Sequence, residues 1–192
     1  MQNLTETSFL KWATENGMGL DERYLQSAVL GFKPDPQQHR FWEVPAKPER
    51  RPYFIATLLS LLGDWNHCYV WRHLGSWPES ADPTRINDQI ELQILRSIGL
   101  PLGSAHVVVF TRAELNQLIT LIFSTTIFGW SVGEDLYIVP DNAQFIVKTD
   151  HHSAIHVAFK DPQAVSRFIV EMDGRGFPLP EDILDDTFKR PE

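Results

Sequence analysis

Apolar residues recur along this chain with two different periods, one typical of helices and one typical of strands. Helical spacing with terminal signals predicts helices at about residues 5–17, 21–31, 52–63, 81–99, 112–127 and 161–174. Runs rich in β-branched and aromatic residues predict strands at about residues 65–73, 105–110, 135–140, 143–149 and 154–160. This order indicates an α+β fold with a mostly antiparallel sheet and a C-terminal β-meander, packed against several α-helices that cover one side of the sheet.

Three of these helices carry signals that define their ends or faces. Thr111 is followed three residues later by Glu114, which is the pattern of a capping box. Asp161 precedes a proline and is the expected cap of the last helix. The helix at residues 81–99 has one apolar face formed by Ile90, Ile94 and Ile98.

The chain has 192 residues, and we expect a single domain over residues 1–192. The predicted helical pair lies at about residues 5–31. Five prolines between Lys33 and Pro52 predict an extended, irregular connector at residues 33–52, because proline lacks a backbone donor and fixes φ.

The last two strands have a preferred register. A three-residue turn places Val147 opposite Val157 and Phe145 opposite Phe159, so that each pair lies on one face of the sheet. The same register places His156 opposite a lysine, Lys148.

Composition indicates an ordinary globular protein, with 43% hydrophobic and 22% charged residues. The single cysteine, Cys68, excludes an intrachain disulfide and a cysteine-based zinc site. The first residues lack the features of a signal peptide, and no apolar stretch reaches the roughly 20 residues of a membrane span. We therefore expect a soluble cytoplasmic protein that does not enter membranes.

The negative charge is concentrated near the C-terminus. The net charge is −8, and the chain from Glu134 onward contributes −6 of it, with 12 acidic and 6 basic residues. Such a surface repels phosphate backbones and attracts basic proteins, so we expect a protein partner rather than nucleic acid. The candidate contact residues are Glu181, Asp182, Asp185 and Asp186.

A G-x-S-x-G pattern surrounds Ser131, as it does the nucleophile of many hydrolases. A nucleophile elbow needs a strand before the serine and a helix after it. Here the order is reversed, because a long predicted helix precedes Ser131 and a strand follows it. We expect a turn at this point, and a serine hydrolase is the interpretation that we favour least.

The histidines suggest a metal site only by their composition. His151 and His152 fall in the predicted turn, and His156 faces Lys148, whose positive charge opposes a bound cation. His67 and His73 lie about 20 Å apart on one strand, which is too far to share a metal ion. We expect no metal and no other cofactor.

The aromatic residues form the least ordinary pattern. Strand alternation places three of them on one face together with His67 and His73, and a further tryptophan follows; the four are Trp65, Tyr69, Trp71 and Trp77. Such a face fills a core, binds a planar ligand or anchors a protein partner. The sequence leaves these alternatives open.

Two functions from different classes follow. The first is a non-enzymatic protein-binding module that uses the acidic C-terminal region and the aromatic face. The alternative is an enzyme or small-ligand protein with a pocket lined by Trp65, Tyr69, Trp71 and His67. In being small, acidic and poor in cysteine, the chain resembles the immunity proteins that bacteria make against secreted toxins, and this resemblance implies an inhibitor of a basic partner.

Overall fold

A seven-stranded sheet forms the centre of the protein. The structure, a computed structural model, describes residues 1–21, 29–33, 38–73, 77–103, 107–132, 136–149 and 154–180. In chain order its elements are β1 (Gln2–Leu4), α1 (Glu6–Glu15), β2 (Met18–Asp21), β3 (Val29–Phe32), β4 (His39–Glu43), α2 (Arg51–Leu61), β5 (His67–Arg72), α3 (Ile86–Ser97), β6 (Val107–Thr111), α4 (Leu115–Val132), β7 (Leu136–Pro140), β8 (Phe145–Thr149), β9 (Ala154–Phe159) and α5 (Pro162–Gly174).

The sheet has the strand order β1-β6-β5-β7-β8-β9-β4, and each neighbouring pair is antiparallel. Strands β7, β8 and β9 follow one another in sequence and in space, which confirms the predicted C-terminal meander. The register is also confirmed, since Val147 is opposite Val157 and Phe145 is opposite Phe159. The fold is α+β, and the described part of the chain packs five α-helices against this sheet.

One face of the sheet is covered by helices. Helix α4 packs against α2 and α3, and α2 also contacts α5. Their buried residues form one hydrophobic core with the strands, to which Phe54, Leu58, Leu118, Ile138 and Val157 belong. No helix in the described part of the chain is both long and apolar enough to cross a membrane.

The opposite face is also covered, which corrects the prediction of a sheet covered on one side. Helix α1 buries Phe9 and Ala13 there. The small β2–β3 hairpin adds Met18, Leu30 and Phe32 to the same second core. The strands of the sheet therefore have buried residues on both faces.

The predicted helical pair is wrong in its second member. Helix α1 is present, with Thr5 as its cap, but both ends of the segment predicted as the second helix are strands, β2 and β3. Residues 22–28 lie outside the described residues. Hydrogen bonding to a partner strand, which sequence periodicity does not report, determines this hairpin.

The predicted connector at residues 33–52 is also more ordered than expected. It contains β4, which pairs with β9 and forms an edge of the sheet. An edge position suits this segment, because prolines and charged side chains are tolerated where one side of a strand is unpaired.

Candidate functional site

The predicted aromatic face is divided between the two sides of the sheet. Tyr69 and Trp71 belong to the core beneath α1, whereas Trp65 and Trp77 belong to the core beneath the other helices. Strand alternation holds only within β5, and Trp65 lies two residues before that strand begins. The prediction of a common face is therefore wrong for Trp65.

The tryptophan rings are core residues rather than a surface. Trp65, Trp71 and Trp77 are 4%, 2% and 1% exposed, and Tyr69 is half-buried. Trp65 lies under the guanidinium of Arg112, whose carbon is 4.6 Å from the ring centroid. In this conformation a partner has no access to the tryptophan faces, and no single pocket is lined by Trp65, Tyr69 and Trp71 together.

Trp71 and Tyr69 instead attach α1 to the sheet. The indole Nε1 of Trp71 donates to Glu6 Oε1 at 2.9 Å. Tyr69 packs against Trp12 with 4.4 Å between ring centroids, and Phe9 lies 5.8 Å from both Tyr69 and Trp71. The polar tip of Trp71 is thus satisfied within the protein, as expected of a buried indole.

The two candidate ligand-binding histidines lie at opposite ends of β5. His67 is exposed, and its Nδ1 is 3.3 Å from Asp141, whose carboxylate also accepts from the backbone N–H groups of Asn66 and His67. His73 is buried and its ring lies 4.7 Å from Trp71. The structure does not bring these histidines together.

A polar row crosses the second face of the sheet. Tyr137, Lys148, His156 and Phe41 stand opposite one another on β7, β8, β9 and β4. His156 is buried, and its Nδ1 lies 3.1 Å from Nε2 of His39, so one nitrogen carries the proton and the other accepts it.

The charge of Lys148 makes this row unsuited to a metal ion. Lys148 faces His156, as the predicted register requires, and its ammonium opposes a bound cation. Within the described ranges, no three histidine, cysteine or carboxylate side chains are placed to bind a metal ion.

The two candidate nucleophiles do not have a catalytic arrangement. Ser131 lies in the last turn of α4, so the strand that a nucleophile elbow needs before the serine is replaced by a helix. Cys68 is fully buried, and burial raises the pKa of its thiol far above the ordinary value. It is therefore a small core residue, as its position on β5 predicts.

The candidate acidic residues of the C-terminal tail lie outside the described residues. These are Glu181, Asp182, Asp185 and Asp186. His151 and His152, in the predicted turn between β8 and β9, also lie outside them.

Helix α3 presents an exposed apolar stripe, and one of its residues, Ile90, belongs to the apolar face that the sequence predicted for this helix. It buries Glu91, Leu92 and Leu95, while Ile86 and Ile90 are 70% and 44% exposed. The two isoleucines are four residues apart, so they are neighbours on the same side of the helix. The helix thus has a second apolar stripe that the fold leaves uncovered.

The surroundings of this stripe carry a slight excess of negative charge. Residues 79–97 contain four acidic and two basic side chains, and one of the acids, Glu91, is buried. Hydrogen bonds from Thr84 lower the pKa of Asp82, so this exposed carboxylate stays ionised. Asp88 is paired with Arg85 at 3.4 Å.

Glu91 lies on the inner side of the same helix. It is 1% exposed, and its Oε1 has no hydrogen-bond partner among the residues described. Burial raises its pKa to about 8, and nearby Arg72 opposes this shift. Glu91 is therefore mainly neutral at pH 7 and adds little to the negative charge around α3.

Comparison with known proteins adds no relative: no protein-family model, no curated protein and no solved structure matches this chain.

Proposed function

We propose that this protein is a non-enzymatic protein-binding module whose partner contacts the exposed stripe of α3. The observation that carries the proposal is the exposure of Ile86 and Ile90 side by side on a helix that already buries a different apolar face. Burying two isoleucines against a partner removes apolar area from water, and this is the dominant favourable term in most protein association.

Charge supports a basic partner. The protein has a net charge of −8, and the segment that carries the stripe has three acids outside the core, Glu79, Asp82 and Asp88, against two basic side chains. Exposed carboxylates around an apolar centre attract a basic surface and speed its encounter. We propose that four acidic residues of the tail add to this attraction; they are Glu181, Asp182, Asp185 and Asp186.

The aromatic face predicted from the sequence is not part of the proposed binding surface. The aromatic residues Trp65, Trp71 and Trp77 are buried, so they support the core rather than an interface. The alternative of a pocket lined by the aromatic residues loses support for the same reason, because its residues lie on both sides of the sheet.

An inhibitory role and a cytoplasmic location belong to the same proposal. Inhibition of a basic partner, as in bacterial immunity proteins, is supported by the acidic and cysteine-poor composition. A single buried cysteine is also in keeping with a reducing compartment.

The double substitution Ile86→Ser/Ile90→Ser tests the proposal. Tagged wild-type and variant proteins are used to capture partners from the source cells, and the retained partner is then purified for titration. Losing two buried isoleucines removes about 2 kcal/mol or more of binding energy, so we expect the dissociation constant to rise at least about thirtyfold.

Val170→Ser is the matched control, because Val170 is 69% exposed on α5 and lies far along the chain from α3. It should retain the partner at wild-type affinity. Equal retention by the double variant would contradict the proposal, as would a wild-type protein that retains nothing beyond what the tag alone retains.

A further inference from the structure

A groove lies between the end of α2 and the length of α5. Its volume is about 330 Å³, and none of its lining residues belongs to α3. Phe145 and Phe168 form its floor, and Leu61 and Ala164 contribute apolar walls. A volume of this size is at the lower end of those that hold small molecules.

Two guanidinium groups stand at this groove. Arg167 and Glu171 lie four residues apart on one side of α5, and Arg175, the residue that ends this helix, lines the same groove. Arg175 donates to Ser60 Oγ at 3.1 Å and to Glu171 at 3.4 Å. Arg167 forms no hydrogen bond or ion pair with any residue that the structure describes.

The groove is therefore a cationic site on an acidic protein. Two arginines and one glutamate give it a local charge of +1, against a net charge of −8 for the whole chain. The planar guanidinium of Arg167 can donate two parallel hydrogen bonds, which is the geometry that a carboxylate accepts.

We propose that this groove binds a small aromatic carboxylate, with its acid group on Arg167 and its ring on the apolar walls. The two rings, Phe145 and Phe168, are tilted against each other with 6.0 Å between centroids, and the atoms that they present to the groove give a ligand ring an apolar contact. Glu171 competes with the ligand for the cationic groups, because it is a carboxylate that lines the same groove.

Hydrocinnamate is a suitable probe, titrated into isotope-labelled protein while the amide NMR signals of Gly63 and Ala164 are followed. We expect saturable shifts at both positions. Arg167→Gln should weaken binding about tenfold, since it removes a hydrogen bond to a charged group. Glu171→Gln should strengthen binding, because it removes the competing carboxylate.

Two controls make the test specific. Arg96→Gln removes an exposed arginine on α3 and should leave the affinity unchanged. Hydrocinnamyl alcohol has the same ring without the charge and should bind more weakly than the acid. Shifts that do not saturate, an affinity unaffected by Arg167→Gln, or equal binding of the alcohol would each overturn the assignment. The changed side chains are exposed on helices, so the variants should fold, and circular dichroism checks this.

Discussion

Glu91 occupies a position of α3 that an apolar residue fills in most amphipathic helices. Its carboxyl is buried without a hydrogen-bond partner on Oε1, and Arg72 compensates only part of the cost of ionising it. A buried group whose pKa differs between the folded and unfolded states makes the free energy of unfolding depend on pH.

The pH dependence of stability follows from the direction of this shift. The pKa of Glu91 is about 8 in the folded protein and 4.5 in the unfolded chain, so the folded state binds more protons between these values. Stability should therefore fall as pH rises through this window. The melting temperature of Glu91→Gln should equal that of wild type at about pH 4 and exceed it by at least about 4 °C at about pH 9.

Thermal unfolding at several pH values measures this effect. Glu79→Gln is the control, since Glu79 is an exposed carboxylate and its substitution should not alter the pH profile. If Glu91→Gln had the melting temperature of wild type at every pH, ionising the buried carboxyl would cost the folded protein no stability.

Among the elements, the helices and the meander were predictable because local chemistry defines them. Thr5 and Asp161 cap α1 and α5 with their side chains, and Gly17 and Gly99 have the positive φ values of 82° and 78° that end a helix. These signals lie within a few residues of the structure that they determine.

Two strands that sequence analysis missed, β1 and β4, depend on distant partners. β1 has three residues, too few for alternation to be recognised, and it exists because β6 pairs with it. β4 lies in a proline-rich segment and depends on β9. When the partner of a strand lies more than a hundred residues away, the local sequence gives no sign of the pairing.

The candidate site was unpredictable for a related reason. Helix α3 has two apolar stripes, one with Leu92 and Leu95 and one with Ile86 and Ile90. The sequence predicted one apolar face, with Ile90, Ile94 and Ile98, but packing against α4 buries the stripe of Leu92 and Leu95 instead.

A hydrogen bond between side chains helps to attach α1 to the sheet. The bond from Trp71 to Glu6 joins the first turn of α1 to β5, and a hydrogen bond to a charged group contributes roughly 1.5 kcal/mol or more. In a double-mutant cycle of Glu6→Ala and Trp71→Phe, we expect a coupling of about this size in urea denaturation.

Glu15→Ala serves as the comparison, since Glu15 is an exposed residue at the far end of α1. Paired with Trp71→Phe it should be additive. If Glu6→Ala and Trp71→Phe were additive as well, the indole–carboxylate bond would contribute nothing to holding the helix on the sheet.

At the scale of the whole molecule, the distribution of charge determines how a partner approaches. The acidic side chains from Glu134 onward outnumber the basic ones by six, and four of them are Glu181, Asp182, Asp185 and Asp186. Long-range attraction of this kind acts on the rate of encounter and weakens as salt screens it.

Replacing these four acids by their amides should therefore slow association with a basic partner and flatten its dependence on ionic strength. The dissociation rate should change little, because short-range contacts at α3 control it. Stopped-flow mixing with the purified partner at several salt concentrations measures both rates. If neutralising all four left the association rate unchanged, the acidic tail would not attract the partner.

Both edge strands of the sheet come from the first 43 residues, whereas the strands between them come from later in the chain. As the chain leaves the ribosome, β1 has no partner until β6 is made, and β4 has none until β9 is made. Phe9 of α1 and Leu30 of the hairpin belong to a core that includes Val107 and Tyr137, so they too are made before the strands they pack against. β1 can therefore pair once β6 is made, before β7 to β9 exist, whereas β4 must wait for β9, the last strand of the sheet to be made.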